Sequence, residues 1–189
     1  MAETQRQDKR AAALHATLAL IAEQGFHATP MSQIAVRANI GVGTIYRYFS
    51  GKDDLINSLY VDVKTKVARH ILKNYSETDP VAACFSRMMS DTVLYFIQNP
   101  LELSFTEQYE NSPLITSASR EEGARISLPV TKLFSRAHQQ GLLKDLPIDT
   151  LGSMISGATI SLAKLYRFKT PDQATLNKAV DAIWDMAAL

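Results

Sequence analysis

Apolar residues recur at intervals of three to four along nearly the whole chain, the period of amphipathic helices. Leu14, Leu18 and Ile21 share one face of a helix predicted over Gln7–Gln24, behind a leader, residues 1–5, expected to be disordered. Gly25 ends that helix in a left-handed cap, and Phe26 folds back on its last turn. Thr29 as N-cap and Pro30 at the first helical position open a short second helix with Ile34, Ala35 and Ala38 as its apolar stripe. Asn39, which accepts a left-handed conformation, marks a turn. Gly41 then caps a helix over Thr44–Phe49 with Ile45 and Phe49 inward. Two short helices closing on Ala35, Ile40 and Ile45 read as a helix-turn-helix.

Downstream, Ser50 and Asp53 have the spacing of a capping box. Leu55, Leu59, Val63, Val67 and Ile71 then mark a helix of about six turns ending near Tyr75. Asp79 and Pro80 begin a helix that runs to Gln98, where Asn99-Pro100 stops it. A short helix follows, residues 110–113 break it, and 111–119 reads as loop. A helix over Ser119–Gln140 contains Pro129, which must bend or split it, and Gly141 ends it. The last two helices are predicted over Asp149–Arg167 and from Thr170-Pro171 to the C-terminal residues. The expected fold class is all-α. A three-helix helix-turn-helix domain over 1–52, running to about residue 60 with the start of the long helix, is joined by that helix to a helical body over 53–189.

Charge sharpens this picture. The net +1 of the 189 residues hides six Lys/Arg against three acids in residues 1–52, a net +3, and fourteen against sixteen in the remainder, a net −2. A basic head on a mildly acidic body suits DNA binding by one end. The hydrophobic content of 46% is enough for a substantial core. A single cysteine, Cys84, excludes an internal disulfide and any cysteine-rich metal site, and His15 and His27 lack ligand spacing, so neither metal nor cofactor is expected. The polar start has no signal-peptide core and no run is long enough for a bilayer, which makes a cytoplasmic protein without a membrane partner the expectation.

The second helix of the helix-turn-helix leaves Val42, Gly43, Thr44, Tyr46, Arg47 and Tyr48 outward. Hydroxyls and a guanidinium suit phosphates and base edges, small residues allow close approach, and an apolar side chain suits a thymine methyl. A merely solvated αα-hairpin is the alternative, against which two tyrosines and an arginine on one short face weigh. At these positions the chain resembles the TetR (tetracycline-repressor-like) family of bacterial regulators. The matching marks are Gly25-Phe26, Thr29, Ile34-Ala35, Thr44–Phe49, and Lys52 followed by acids and Leu55; they cover about residues 8–60. The resemblance implies that Lys52 contacts phosphate. The candidate DNA-contacting set is thus Thr29, Val42, Gly43, Thr44, Tyr46, Arg47, Tyr48 and Lys52, with double-stranded operator DNA as partner.

The resemblance also implies a homodimer built on the last two helices. Gly152, Ser153, Ser156, Gly157, Ile160, Ser161 and Lys164, with Ile183 and Trp184, are the candidate interface, small residues permitting close helix approach. The same small face could instead pack within its own subunit. Candidate effector-lining residues are Phe85, Met89, Thr92, Phe96, Phe105, Gln108, Tyr109, Phe134 and His138, with Arg125 for a carboxylate. Adaptable methionine, flat aromatics and a few polar groups suit a mostly apolar small molecule, although such residues at helical spacing also suit a plain core. No HExxH, nucleophile elbow or inward carboxylate pair is present, which disfavours an enzyme. The expected function is a ligand-responsive repressor that leaves a palindromic operator when effector binds. A ligand-independent architectural DNA binder is the alternative, which a large aromatic body does not require.

Overall fold

Left-handed Gly25 and Gly141 follow two of the helices and mark where they end. The computed structural model describes residues 2–110 and 112–189, and among these the regular structure is helical apart from one isolated bridge. Met1, in the expected disordered leader, and Asn111, in the expected loop, lie outside the described residues. The helices are α1 (Ala2–Gln24), α2 (Met31–Arg37), α3 (Val42–Ile45), α4 (Lys52–Ile71) and α5 (Val81–Gln98). They continue with α6 (Pro100–Tyr109), α7 (Ser117–Ile126), α8 (Leu128–Gln139), α9 (Ile148–Tyr166) and α10 (Gln173–Ala187).

Several expected boundaries move for local reasons. Helix α1 begins at Ala2 rather than Gln7. Pro30, not Thr29, is the N-cap residue of α2, because the Thr29 hydroxyl is turned back to donate to Gly25 O at 2.8 Å. The cap of α4 uses Asp54 rather than Asp53: one carboxylate oxygen accepts from Ser50 N–H at 2.7 Å and from Ser50 Oγ at 3.1 Å. Asp79 does not cap α5, since its carboxylate is taken by Arg87 at 2.7 Å. Asp172, not Thr170-Pro171, caps α10 by accepting from Thr175 N–H at 2.7 Å. The helix expected over Ser119–Gln140 is split between Ile126 and Leu128, with Pro129 in the first turn of α8, where its missing N–H is harmless. Left-handed backbone occurs at Gly25 (φ 78°), Asn39 (φ 53°) and Gly141 (φ 67°), the three turn positions that the sequence pattern requires.

The chain forms two compact units. The first comprises the residues up to Val63 together with Ser104–Gly123, a segment from far along the chain. Its core includes Leu14, Leu18, Ile21, Ile34, Ile45, Phe49, Leu55, Ile56 and Leu59, all buried. The recruited segment is held by polar bonds. Buried Asn57 donates to Asp53 O (2.7 Å) and Leu114 O (3.0 Å) and accepts from Thr116 N–H (2.9 Å), so its amide is well satisfied. Gly123 of α7 lies so close to α4 that a Cβ there would stand 2.7 Å from Tyr60 Oη.

The second unit comprises Lys64–Leu103 and Ala124–Leu189. Helix α5 is its axis and packs against α8, α9 and α10. Phe85, Met88, Met89, Leu133, Phe134, Leu151, Ile155, Leu176, Val180 and Ile183 join in one buried cluster. The end of α10 and the residues after it are tied down: Lys144 N–H donates to Ala187 O (2.8 Å) and Leu189 N–H to Leu142 O (3.0 Å). A second cluster forms around Tyr95, Phe96 and Leu103. There the buried Glu102 carboxylate accepts from the Tyr95 hydroxyl and pairs with Lys66 Nζ at 3.2 Å.

Candidate DNA interface

Helix α3 is a single regular turn extended by tighter ones. Thr44 and Ile45 N–H both return to Gly41 O, Arg47 N–H to Thr44 O at 3.2 Å, and Tyr48 N–H to Ile45 O at 2.9 Å. Ile45 and Phe49 face inward and are buried. The intervening residues must therefore face out. Val42, Gly43, Tyr46 and Arg47 are exposed, Tyr46 by 54%, with Thr44 and Tyr48 half-buried. A Cβ at Gly43 would meet nothing within 4 Å, so its exposed backbone is open to approach.

The turn and both flanks are held by specific contacts. Gln24 Nε2 donates to Gln33 Oε1 at 2.7 Å, joining α1 to α2. The Arg37 guanidinium grips the Glu23 carboxylate with two bonds of 2.6 and 3.1 Å. That pairing holds Glu23 below the usual carboxylate range and raises Arg37 further. The Arg10 guanidinium lies 5.4 Å from the centre of the Phe49 ring, a cation–π placement. Lys52 Nζ stands 4.2 Å above the Phe26 ring. Partial burial pulls its ammonium below the usual lysine value, with Asp53 opposing the change.

Thr29 departs from expectation. It is fully buried, with 0% exposure, so its side chain is a strut of the 25–29 turn and not a DNA contact. Nothing in its position as a sequence mark distinguished the two roles.

The expected effector-lining residues are shared out between the two units. Phe105, Gln108 and Tyr109 belong to the first unit, where Phe105 and Tyr109 are buried and stacked at 5.2 Å. Gln108 is exposed and donates to Ser104 Oγ on its own helix. Arg125 and His138 are exposed as well, so neither turns inward. Phe85, Met89 and Phe134 share the buried cluster of the second unit, Phe96 lies in its smaller neighbour, and Thr92 returns its hydroxyl to Met88 O.

The expected dimer face divides similarly. Ser153, Ser156, Gly157, Ser161 and Lys164 are exposed on α9, with Gly152 and Ile160 half-buried. A Cβ at Gly152 or Gly157 would meet nothing within 4 Å, so these glycines are not spacers within their own chain. Ile183 is buried in the chain's own core, and the Trp184 ring lies tilted against Phe85 with centroids 4.8 Å apart.

A helix-turn-helix with a hydroxyl-rich, cationic outer face defines a DNA-binding regulator. Residues 13–59 match the family described as bacterial regulatory proteins, tetR family, and residues 80–187 match a tetracyclin repressor-like C-terminal domain. An uncharacterized HTH-type transcriptional regulator of Haemophilus influenzae is 32% identical over 155 residues, 81% of this chain and 80% of that protein. The chain belongs to the TetR family of transcriptional regulators. A TetR family regulator from Marinobacter aquaeolei VT8 has the same fold (TM-score 0.90, 22% identity, 98% of each chain covered). So does FadR from Bacillus subtilis, solved in complex with stearoyl-CoA (TM-score 0.72, 18% identity, 93% and 96% covered). Relatives are regulators rather than enzymes. Among the described residues no helix is long and apolar enough to cross a membrane, and no group of His, Cys, Asp or Glu could hold a metal ion.

Proposed function

We propose that two copies of the chain bind a palindromic operator in the cytoplasm as a repressor and leave it when a small, mostly apolar molecule binds the second unit. The observation that carries the reading is the outward face of α3, where exposed Tyr46 and Arg47 are locked in direction by buried Ile45 and Phe49. Val42, Gly43, Thr44, Tyr48 and Lys52 complete that contact surface, with Arg47 and Thr44 reading bases and Lys52 contacting phosphate. The open glycines of α9 support a two-fold contact through that helix, because their small size serves nothing within the chain.

An acyl-bearing or aromatic effector is supported by the Phe- and Met-rich cluster on α5 and α8, and by the stearoyl-CoA found with the FadR relative. Phe85, Met89, Thr92, Phe96 and Phe134 are the residues it would meet. Helix α4 is continuous through the residue where the two units divide, so a tilt of it would change the spacing of the two recognition surfaces. A coupling of ~1–3 kcal/mol between effector and DNA, equal in both directions, is the ordinary size. Capture of genomic fragments, followed by thermal-shift screening of acyl and aromatic compounds, tests both halves. A protein that enriches no DNA, or whose operator complex no stabilising compound releases, does not act in this way.

A further inference from the structure

We infer that Tyr109 is a positioning residue for the DNA-contacting Lys52, acting through the Phe26 ring. The inference deepens the DNA-interface reading above and rests on it.

The turn after α1 leaves an orphan donor. Helix α1 ends in the left-handed Gly25, whose N–H returns to Ile21 O at 2.8 Å. The next N–H, that of Phe26, points away from the helix ladder and is buried, where an unpaired donor is costly. Its partner comes from 83 residues along the chain: Phe26 N–H donates to Tyr109 Oη at 3.0 Å. The Tyr109 ring meets the Phe26 ring edge-on at 6.3 Å and stacks on Phe105 at 5.2 Å. Tyr109 is 7% exposed, and burial pushes its hydroxyl above the usual tyrosine range, so it stays protonated.

The Phe26 ring is thereby held from two sides, backbone and edge, and it carries Lys52 Nζ 4.2 Å above its centre. An ammonium placed over a ring is restrained in position while its remaining donors stay available to a phosphate. A lysine otherwise surrenders rotamer freedom when it binds DNA, and a preformed seat removes part of that cost. Tyr109 and Phe105, which the sequence pattern assigns to an effector pocket, thus build the phosphate-contacting corner of the head.

The test is a double-mutant cycle on the operator, with Tyr109→Phe, which removes only the hydroxyl, and Lys52→Ala. Tyr109→Phe is expected to weaken operator binding by ~3-fold to 10-fold and to move the salt slope toward that of Lys52→Ala, which itself falls by about one unit. On the Lys52→Ala background it is expected to do nothing more. Equal weakening in both backgrounds, or none in either, overturns the inference. The wild-type protein gives an independent reading that does not depend on any variant folding. Lys52 ε-methylene protons should be shifted upfield by the Phe26 ring in NMR spectra, and random-coil shifts overturn the seat. If Lys52→Ala changes neither affinity nor salt slope while the ring-current shift is present, the failure lies in the DNA-interface reading.

Discussion

Thr29 and Tyr46 stand 17 positions apart in one motif and serve it in opposite ways. Both carry hydroxyls of the kind that bind phosphate, yet Thr29 is enclosed and bonded to Gly25 O, while Tyr46 is half exposed on α3. Tyr46→Ala is expected to weaken operator binding with little change in melting temperature, because its side chain is more than half exposed and lies outside the buried core. Thr29→Ala should do the reverse, costing about 1 kcal/mol of stability through the lost hydrogen bond while the folded protein binds operator as before. Anisotropy titrations paired with thermal melts separate the two. A Thr29→Ala protein that folds as well as wild type but loses DNA affinity would return Thr29 to the interface.

At the scale of elements, local signals were legible and partners were not. Asn39 and Gly25 announced left-handed turns, Gly141 a helix end and Pro129 the α7/α8 break, and alternation of Ile45 and Phe49 with polar residues announced which face of α3 turns outward. Capping went astray wherever two acids or hydroxyls competed. Asp54 rather than Asp53 closes on Ser50, and Asp79 is drawn off by Arg87, a residue two turns on. Aromatic content alone does not say which unit a helix joins: α6 divides at Leu103, and Phe105 and Tyr109 go to the head. For α9, the open face around Gly157 gives a sharp expectation. A Cβ at Gly157 meets no atom of its own chain within 4 Å, so Gly157→Trp is expected to fold normally and to sediment as a monomer, and the wild type as a dimer. A variant dimer of unchanged affinity would move the subunit contact off α9.

At the scale of the whole molecule, the division of the aromatics predicts which truncations act on which property. Phe105→Ala should cost ~3–5 kcal/mol, as large-to-small changes in a packed core do, and leave any effector response intact in the protein that remains folded. Met89→Ala, in the cluster of the second unit, should alter the concentration at which an acyl or aromatic compound releases DNA. Denaturant melts and operator-release titrations read the pair, and an effector response lost in Phe105→Ala alone would put the effector in the head. The central claim is that paired α3 helices read a two-fold symmetric site, and selection from a random duplex pool followed by footprinting tests it most directly. The selected sequences should be palindromic, with two protected half-sites ~34 Å apart or a multiple of it, and Tyr46→Ala should reduce enrichment at both alike. Enrichment of a single asymmetric half-site, or a pool no different from that retained by Tyr46→Ala, contradicts it.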